Sequence, residues 1–213
     1  MIATIIGSTG LTGSLLLRLL LADPAITQVI SISRRSPNLA STKLSEILID
    51  DLAALPSLEP DIQGDMYFCC LGTTIRAAGS KENFRKVDHA AIVDFATIAK
   101  AHNARSLTLV SAAGASAQSR VFYSQIKGRT EDEVRALGLR SLTIFRPALL
   151  TGPRHEFRFG ELIATATLAP LSKLLPAASR KRLITPADAL ARRMLSEGKM
   201  AAGGVRVIAA KDI

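Results

Sequence analysis

Apolar and polar positions follow one another along this chain in blocks of two kinds. Short runs such as "TIIG", "YFCCLG" and "LTLVS" are apolar without interruption, the pattern of strands buried on both faces. Longer stretches between them repeat apolar residues every three to four positions, the period of a helix with one buried face. The pattern predicts strands over 2–6, 28–33, 45–49, 65–71, 106–110, 141–145 and 205–209, and helices near 11–22, 81–102, 121–137, 159–175 and 186–198. Such alternation argues for an α/β fold, a Rossmann-like doubly wound parallel sheet with helices on both faces. No repeat or linker interrupts it, so 1–213 reads as a single domain. After Pro147 the pattern loosens, and 153–185 is expected to be an insertion on the substrate side of the cleft.

Composition narrows the partners. With 213 residues, 48% of them hydrophobic, the chain can bury a full core. Its formal charge of +9 favours anionic ligands. Aromatic residues are only 4% and Trp is absent, so the stacking platforms of a single-strand nucleic-acid binder are scarce and no nucleic-acid partner is expected. Cys69 and Cys70 are adjacent on a predicted strand and point to opposite faces, which suits reduced thiols and a cytoplasmic location. The apolar start, 1–21, has no basic leader and carries Arg18, and "ELIATATLAPLSKLLP" is broken by Pro170 and Lys173, so no transmembrane segment is expected. That stretch reads instead as core or as a homodimer surface. His89, His102 and His155 stand apart from one another, with no metal-ligand spacing, and the basic run at 179–183 reads as a solvated face.

The first turn carries the clearest chemistry. In "GSTGLTG", Gly7, Gly10 and Gly13 lie between a strand and a helix. One glycine there permits the tight turn, the next lets backbone approach a diphosphate, and the third allows helix to pack on strand. Gly7, Thr9, Gly10, Leu11, Thr12 and Gly13 are therefore candidate cofactor contacts, with main-chain amides at the helix start holding the anion. The second strand ends in "SISRRSPN". Arg34 and Arg35 stand where a carboxylate would select NAD, and so favour NADP (NADPH). Asp50, after the third strand, could accept from the adenine amine. The fourth strand delivers Leu71, Gly72, Thr73 and Thr74 to the carboxyl edge of the sheet.

A second constellation is suited to proton transfer. Tyr123 and Lys127 are four apart on one helix face, and a nearby ammonium makes a phenol a better acid-base group. Ser111, at the end of the fifth strand, could polarise a substrate carbonyl.

With "GSTGLTG", "FCCLGTT", "NFRKVD", "VSAAGA", "FYSQIKGRTE" and "FRPALLTGPR" in this order, the chain resembles a short-chain dehydrogenase/reductase, of the atypical branch that contains the Tat-interacting-protein-like oxidoreductases. The resemblance covers Ile2 to about Pro153. It implies a Rossmann fold, NADP(H), catalysis by Ser111, Tyr123 and Lys127, a ribose contact from Lys127, and a nicotinamide contact from the backbone of Pro147, Ala148 and Leu149. Two positions depart from that family's pattern. Asp88 stands in the central helix where many relatives have an asparagine, and Ser111 is followed by Ala112 and Ala113 rather than by a second serine.

The expected function is an NADP(H)-dependent oxidoreductase acting on a small-molecule carbonyl or alcohol. Two alternatives stay open: an NADPH-binding regulatory or redox-sensing protein with little catalysis, and an isomerase of the nucleotide-sugar epimerase kind.

Overall fold

The computed structural model describes residues 1–152 and 183–213. β1 (Ile2–Ile6) passes through the glycine turn into α1 (Leu11–Ala22), followed by β2 (Gln28–Ser33), β3 (Leu44–Leu48), a 3-10 segment (Leu52–Asp61) and β4 (Met66–Cys69). Short helices α2 (Ile75–Ala78) and α3 (Lys81–Arg85) lead through a widened π turn (Lys86–Ala90) into α4 (Ala91–Ala101). Then come β5 (Ser106–Val110), α5 (Phe122–Ala136), β6 (Ser141–Arg146), β7 (Leu149–Thr151), β8 (Ile184–Pro186), α6 (Ala187–Met200) and β9 (Gly204–Ala209).

Seven strands form one sheet in the order β3-β2-β1-β4-β5-β6-β9, and every neighbouring pair is parallel. The chain steps outward from β1 to β3, then crosses back and steps outward the other way from β4. That reversal opens a crevice beyond the carboxyl ends of β1 and β4, where open α/β sheets take their ligands.

The uninterrupted apolar runs follow from burial on both faces. On β4, Tyr67 and Cys69 lie in one core with Phe95 of α4 and Val134 of α5, while Met66 and Phe68 lie in the other with Leu16, Leu17 and Leu20 of α1 and Leu190 and Met194 of α6. Each such leucine, fully withdrawn from water, contributes about 1.5–3 kcal/mol. α1 ends at Ala22 because Asp23 precedes Pro24, whose ring pushes the residue before it into extended backbone; Asp23 sits at φ −75 and ψ 121.

The structure departs from the sequence pattern in three places that matter to the site. β4 leaves the ladder at Cys69, so Cys70, Leu71 and Gly72 form a loop rather than the end of a strand. The single helix predicted over 81–102 is interrupted by the π turn, which carries Asp88 inward. Finally, β7 and β8, which the apolar pattern does not announce, pair in parallel with Leu149 opposite Ile184. The helix expected over 159–175, His155 and nearly all of the 153–185 insertion lie outside the described residues.

Candidate functional site

The glycine turn is built as a close contact between two strand ends. Gly7 has φ +80, and a Cβ there would stand 2.8 Å from the carbonyl carbon and oxygen of Cys70, just past the end of β4. A Cβ on Gly13 would stand 2.1 Å from the Gly7 carbonyl oxygen. Both obstructions are backbone, so side chains are excluded and α1 begins pressed against the turn. Gly10 caps the helix with no side-chain acceptor, and the first turn holds no acidic residue. The Thr12 hydroxyl is buried there without a hydrogen-bond partner, and Thr9 is exposed at the tip of the turn. Uncapped amides, an unpartnered hydroxyl and a positive helix end form a cradle for an anion. These residues fit the diphosphate of a dinucleotide.

Arg34 and Arg35 are both exposed just beyond β2, and the Arg35 carbonyl accepts from the Ser33 hydroxyl at 2.7 Å. Asp50 is exposed after β3. In the loop after β4, Thr74 caps α2 by accepting from the Ala77 amide at 3.1 Å, and the Thr73 amide donates to Asp88 Oδ2 at 2.8 Å. Leu71 and Gly72 lead into this loop from β4.

α5 presents a stripe of side chains at four-residue spacing: Tyr123, Lys127, Glu131 and Arg135. Tyr123 is half-buried, its ring 5.6 Å from that of Phe84 on α3. Lys127 is buried, and its Nζ lies 2.7 Å from Oδ1 of Asp88, which has no exposure at all. Burial alone would strip the proton from such an amine, but the Asp88 carboxylate, reinforced by the nearby Tyr123 phenol, raises Lys127 above the ordinary lysine value.

Ser111 is where the sequence placed it, at the end of β5, but its hydroxyl donates to Oε1 of Glu131 at 2.6 Å. Glu131 is fully buried and also accepts from Arg146 Nε at 2.9 Å, from Arg146 Nη2 at 2.6 Å and from Arg135 Nη2 at 2.7 Å. This cluster ties the carboxyl ends of β5 and β6 to α5. A serine hydroxyl has a single proton, so while Ser111 serves Glu131 it has none left for a substrate oxygen. The structure therefore sets Tyr123 and Lys127 on one face of α5 and engages the Ser111 hydroxyl with Glu131 of the same stripe.

The segment after β6 is also internally engaged. The Pro147 carbonyl accepts from the Ala113 amide at 2.9 Å, the Ala148 amide donates to the Thr185 hydroxyl at 3.0 Å, and Leu149 opens β7. The sequence reading missed Glu131 and Arg146. The signal was present in the four-residue spacing from Lys127 to Glu131 and in the Arg immediately before Pro147.

No protein-family model matches the chain. Against curated proteins it is 36% identical over 208 residues to protein fmp52, mitochondrial, of Aspergillus fumigatus, covering 94% of this chain and 88% of that one. The chain belongs to the Fmp52 family. A second Fmp52 relative, from Candida albicans, is 35% identical over 156 residues, covering 71% of this chain and 68% of its own. Both relatives are named as mitochondrial proteins, which corrects the expectation of a cytoplasmic location. The physical basis of that expectation was too narrow: Cys69 and Cys70 are unpaired, but neighbours in sequence bridge only with strain and so do not report on the compartment. No helix among the described residues is long and apolar enough to cross a membrane.

Among solved structures, the fold is shared with MoeE5 in complex with UDP-glucose and NAD, at TM-score 0.72 and 16% identity, over 98% of this chain and 75% of that one. It is shared equally with an oxidoreductase of the short-chain dehydrogenase/reductase family from Burkholderia thailandensis, at TM-score 0.70 and 18% identity, over 98% and 90% of the two chains. The Fmp52 family chain described here thus has the Rossmann-like architecture of those enzymes.

Proposed function

We propose that this protein is an NADP(H)-dependent oxidoreductase acting on a carbonyl or alcohol, with Tyr123 as the proton donor and acceptor and Lys127 as its cationic support. The observation that carries this reading is the buried Lys127 ammonium, one helical turn from Tyr123 and close under Gly72: a Cβ on that glycine would stand 3.8 Å from Nζ. The dinucleotide, when bound, supplies or removes a hydride at its nicotinamide ring. The uncapped amides of Leu11, Thr12 and Gly13 hold its diphosphate, and the guanidinium groups of Arg34 and Arg35 hold the 2′-phosphate that distinguishes NADP from NAD. Tyr123 gives a proton to the carbonyl oxygen as that oxygen gains charge, or takes it back in the opposite direction. Since the Ser111 proton is engaged by Glu131, the donor to that oxygen is Tyr123 itself. The names of the structural neighbours, which include NAD complexes, agree with a nicotinamide cofactor.

Tyr123→Phe tests the reading. It is expected to abolish turnover of NADPH with an accepted carbonyl while calorimetry still shows NADPH binding. Unchanged turnover would remove Tyr123 from the mechanism.

A second reading has its own support. Ser111 faces Glu131, and Ala112 and Ala113 carry no hydroxyl, an arrangement that suits a protein using NADPH as a regulatory ligand. That reading expects thermal stabilisation by NADPH without its oxidation across a broad panel of carbonyl compounds, and rapid turnover excludes it.

A further inference from the structure

We propose that Asp88 is a positioning residue that holds the Lys127 ammonium in place, keeps it charged, and joins it to the loop after β4. This rests on the reading of Tyr123 and Lys127 given above. Asp88 is held on three sides by groups from three different elements. Its Oδ2 accepts from the Thr73 amide at 2.8 Å, its main-chain carbonyl accepts from the Thr130 hydroxyl of α5 at 2.9 Å, and its Oδ1 faces Lys127 Nζ at 2.7 Å. The π turn makes this possible, because the extra residue in that turn swings the side chain of position 88 to the interior and leaves α4 to continue beyond it.

Lys127 alone could not keep its charge in this place. A buried ammonium without a counter-charge sheds its proton, because desolvation penalises the charged form. The groups facing the pair are few. α5 supplies Tyr123 and, one turn on from Lys127, Glu131, whose charge is matched by Arg135 and Arg146, and β4 supplies Cys69. Burial pushes the Cys69 thiol up to about 12, so it stays protonated and neutral. His89, the next residue along the chain, is engaged at the surface by Glu133 at 2.8 Å. Among the described groups, Asp88 is therefore the carboxylate paired with Lys127, while Glu131 one turn along α5 is taken up by Arg135 and Arg146, and the Asp88–Lys127 pair is neutral overall.

Two consequences follow for the site. Lys127 acts on Tyr123 at short range, as an oriented donor, rather than through a net positive field. The pair is also in register with the ligand-facing loop: a Cβ on Gly72 would stand 3.7 Å from Asp88 Oδ1 and 3.8 Å from Lys127 Nζ, so a shift of that loop displaces both charges together.

The test follows the carbon chemical shift of Lys127 Cε against pH by NMR in the wild type, Asp88→Asn and Asp88→Glu, a measurement that needs neither cofactor nor substrate. Asp88→Asn keeps an acceptor for the Thr73 amide but removes the counter-charge. It is expected to lower the proton affinity of Lys127 by about tenfold or more, one unit of pH or more. The alkaline arm of the turnover profile should move the same way, with NADPH affinity changed by less than about threefold, a difference of well under one tenfold step. Asp88→Glu restores the charge at a displaced position, so Lys127 should titrate near the wild-type pH while kcat falls about tenfold or more. An unchanged Lys127 titration in folded Asp88→Asn overturns the proposal. Should Asp88→Asn fail to fold by circular dichroism, Asp88→Glu decides, and a wild-type kcat in that variant overturns it. If Lys127 shifts as expected but the wild type turns over no substrate, the enzymatic reading fails while the hold of Asp88 on Lys127 stands.

Discussion

The Ser111 hydroxyl donates to Oε1 of Glu131 at 2.6 Å, and the same carboxylate grips Arg146 through two parallel hydrogen bonds. Strand β5, strand β6 and helix α5 are thereby joined at one buried charge. This arrangement leads us to expect a structural role for Ser111. Ser111→Ala should lower stability by about 1.5–3 kcal/mol, the worth of a hydrogen bond to a charged group, while turnover stays within a few-fold of wild type. A loss of kcat by a hundredfold or more, with stability intact, would instead put the hydroxyl on the substrate.

Glu131→Ala should be far more damaging. It leaves two guanidinium groups pointing at an empty, buried position, and breaking one partner out of such a cluster costs about 3–5 kcal/mol. Urea denaturation should show a lowered midpoint at an unchanged slope. Because Arg135 and Arg146 remain about 30% exposed and can turn to water, the lower end of that range is the expected value.

Gly13→Ala probes the cofactor cradle. The new methyl group would meet the Gly7 carbonyl oxygen at 2.1 Å, and neither side of that contact is a flexible side chain. The helix start must shift, so NADPH binding by calorimetry should weaken at least about a hundredfold, nearly 3 kcal/mol. Wild-type affinity in a folded variant would show that the turn does not hold the diphosphate.

Replacing Arg34 and Arg35 together by Ala should cost NADPH about ten- to a hundredfold in affinity, the range for losing a charge-assisted hydrogen bond, and leave NADH nearly unaffected. Equal losses for both cofactors would assign the arginines to general electrostatics instead.

The pattern of apolar runs was sufficient for β1, α1, β2 and β5, whose observed bounds coincide with the expected ones, because continuous burial on two faces leaves a strong and local signal. It failed at Asp88. A π turn shifts the helical phase by one residue, and the apolar period on either side of it still reads as one helix. At Ser111 the position at the strand end was legible but the hydrogen-bond partner was not: the direction of a hydroxyl depends on Glu131 and Arg146, which are 20 and 35 residues further along the chain. Tyr123 and Lys127 were legible because four-residue spacing on a helix fixes their common face regardless of what surrounds it. Where strand β4 ends was not, since "FCCLG" stays apolar after it has left the ladder.

Two acidic groups in the core give an alkaline limit to stability. Burial raises the Cys69 thiol from 9.0 to about 12 and the Tyr67 phenol from 10.0 to about 12. Each is held protonated in the folded state, so the stability it contributes is complete below its unfolded value and is lost as pH rises from there through the folded one. The urea midpoint should begin to fall near pH 9 and drop steeply toward 12, and Cys69→Ala should make the fall shallower while the Cys70 thiol, also raised by burial, keeps the onset in place. A midpoint independent of pH across that window would contradict the burial of both groups.

The absence of Trp equips the protein with its own simple lamp. The chain has no Trp and only two Tyr; Tyr67 is sealed in the core against His102 at 2.6 Å, while Tyr123 is half-buried against Phe84. Intrinsic fluorescence is therefore phenolic, and its emission overlaps the absorption band of reduced nicotinamide. A reduced nicotinamide held within the protein would therefore dim this phenolic emission, a readout that needs neither dye nor label.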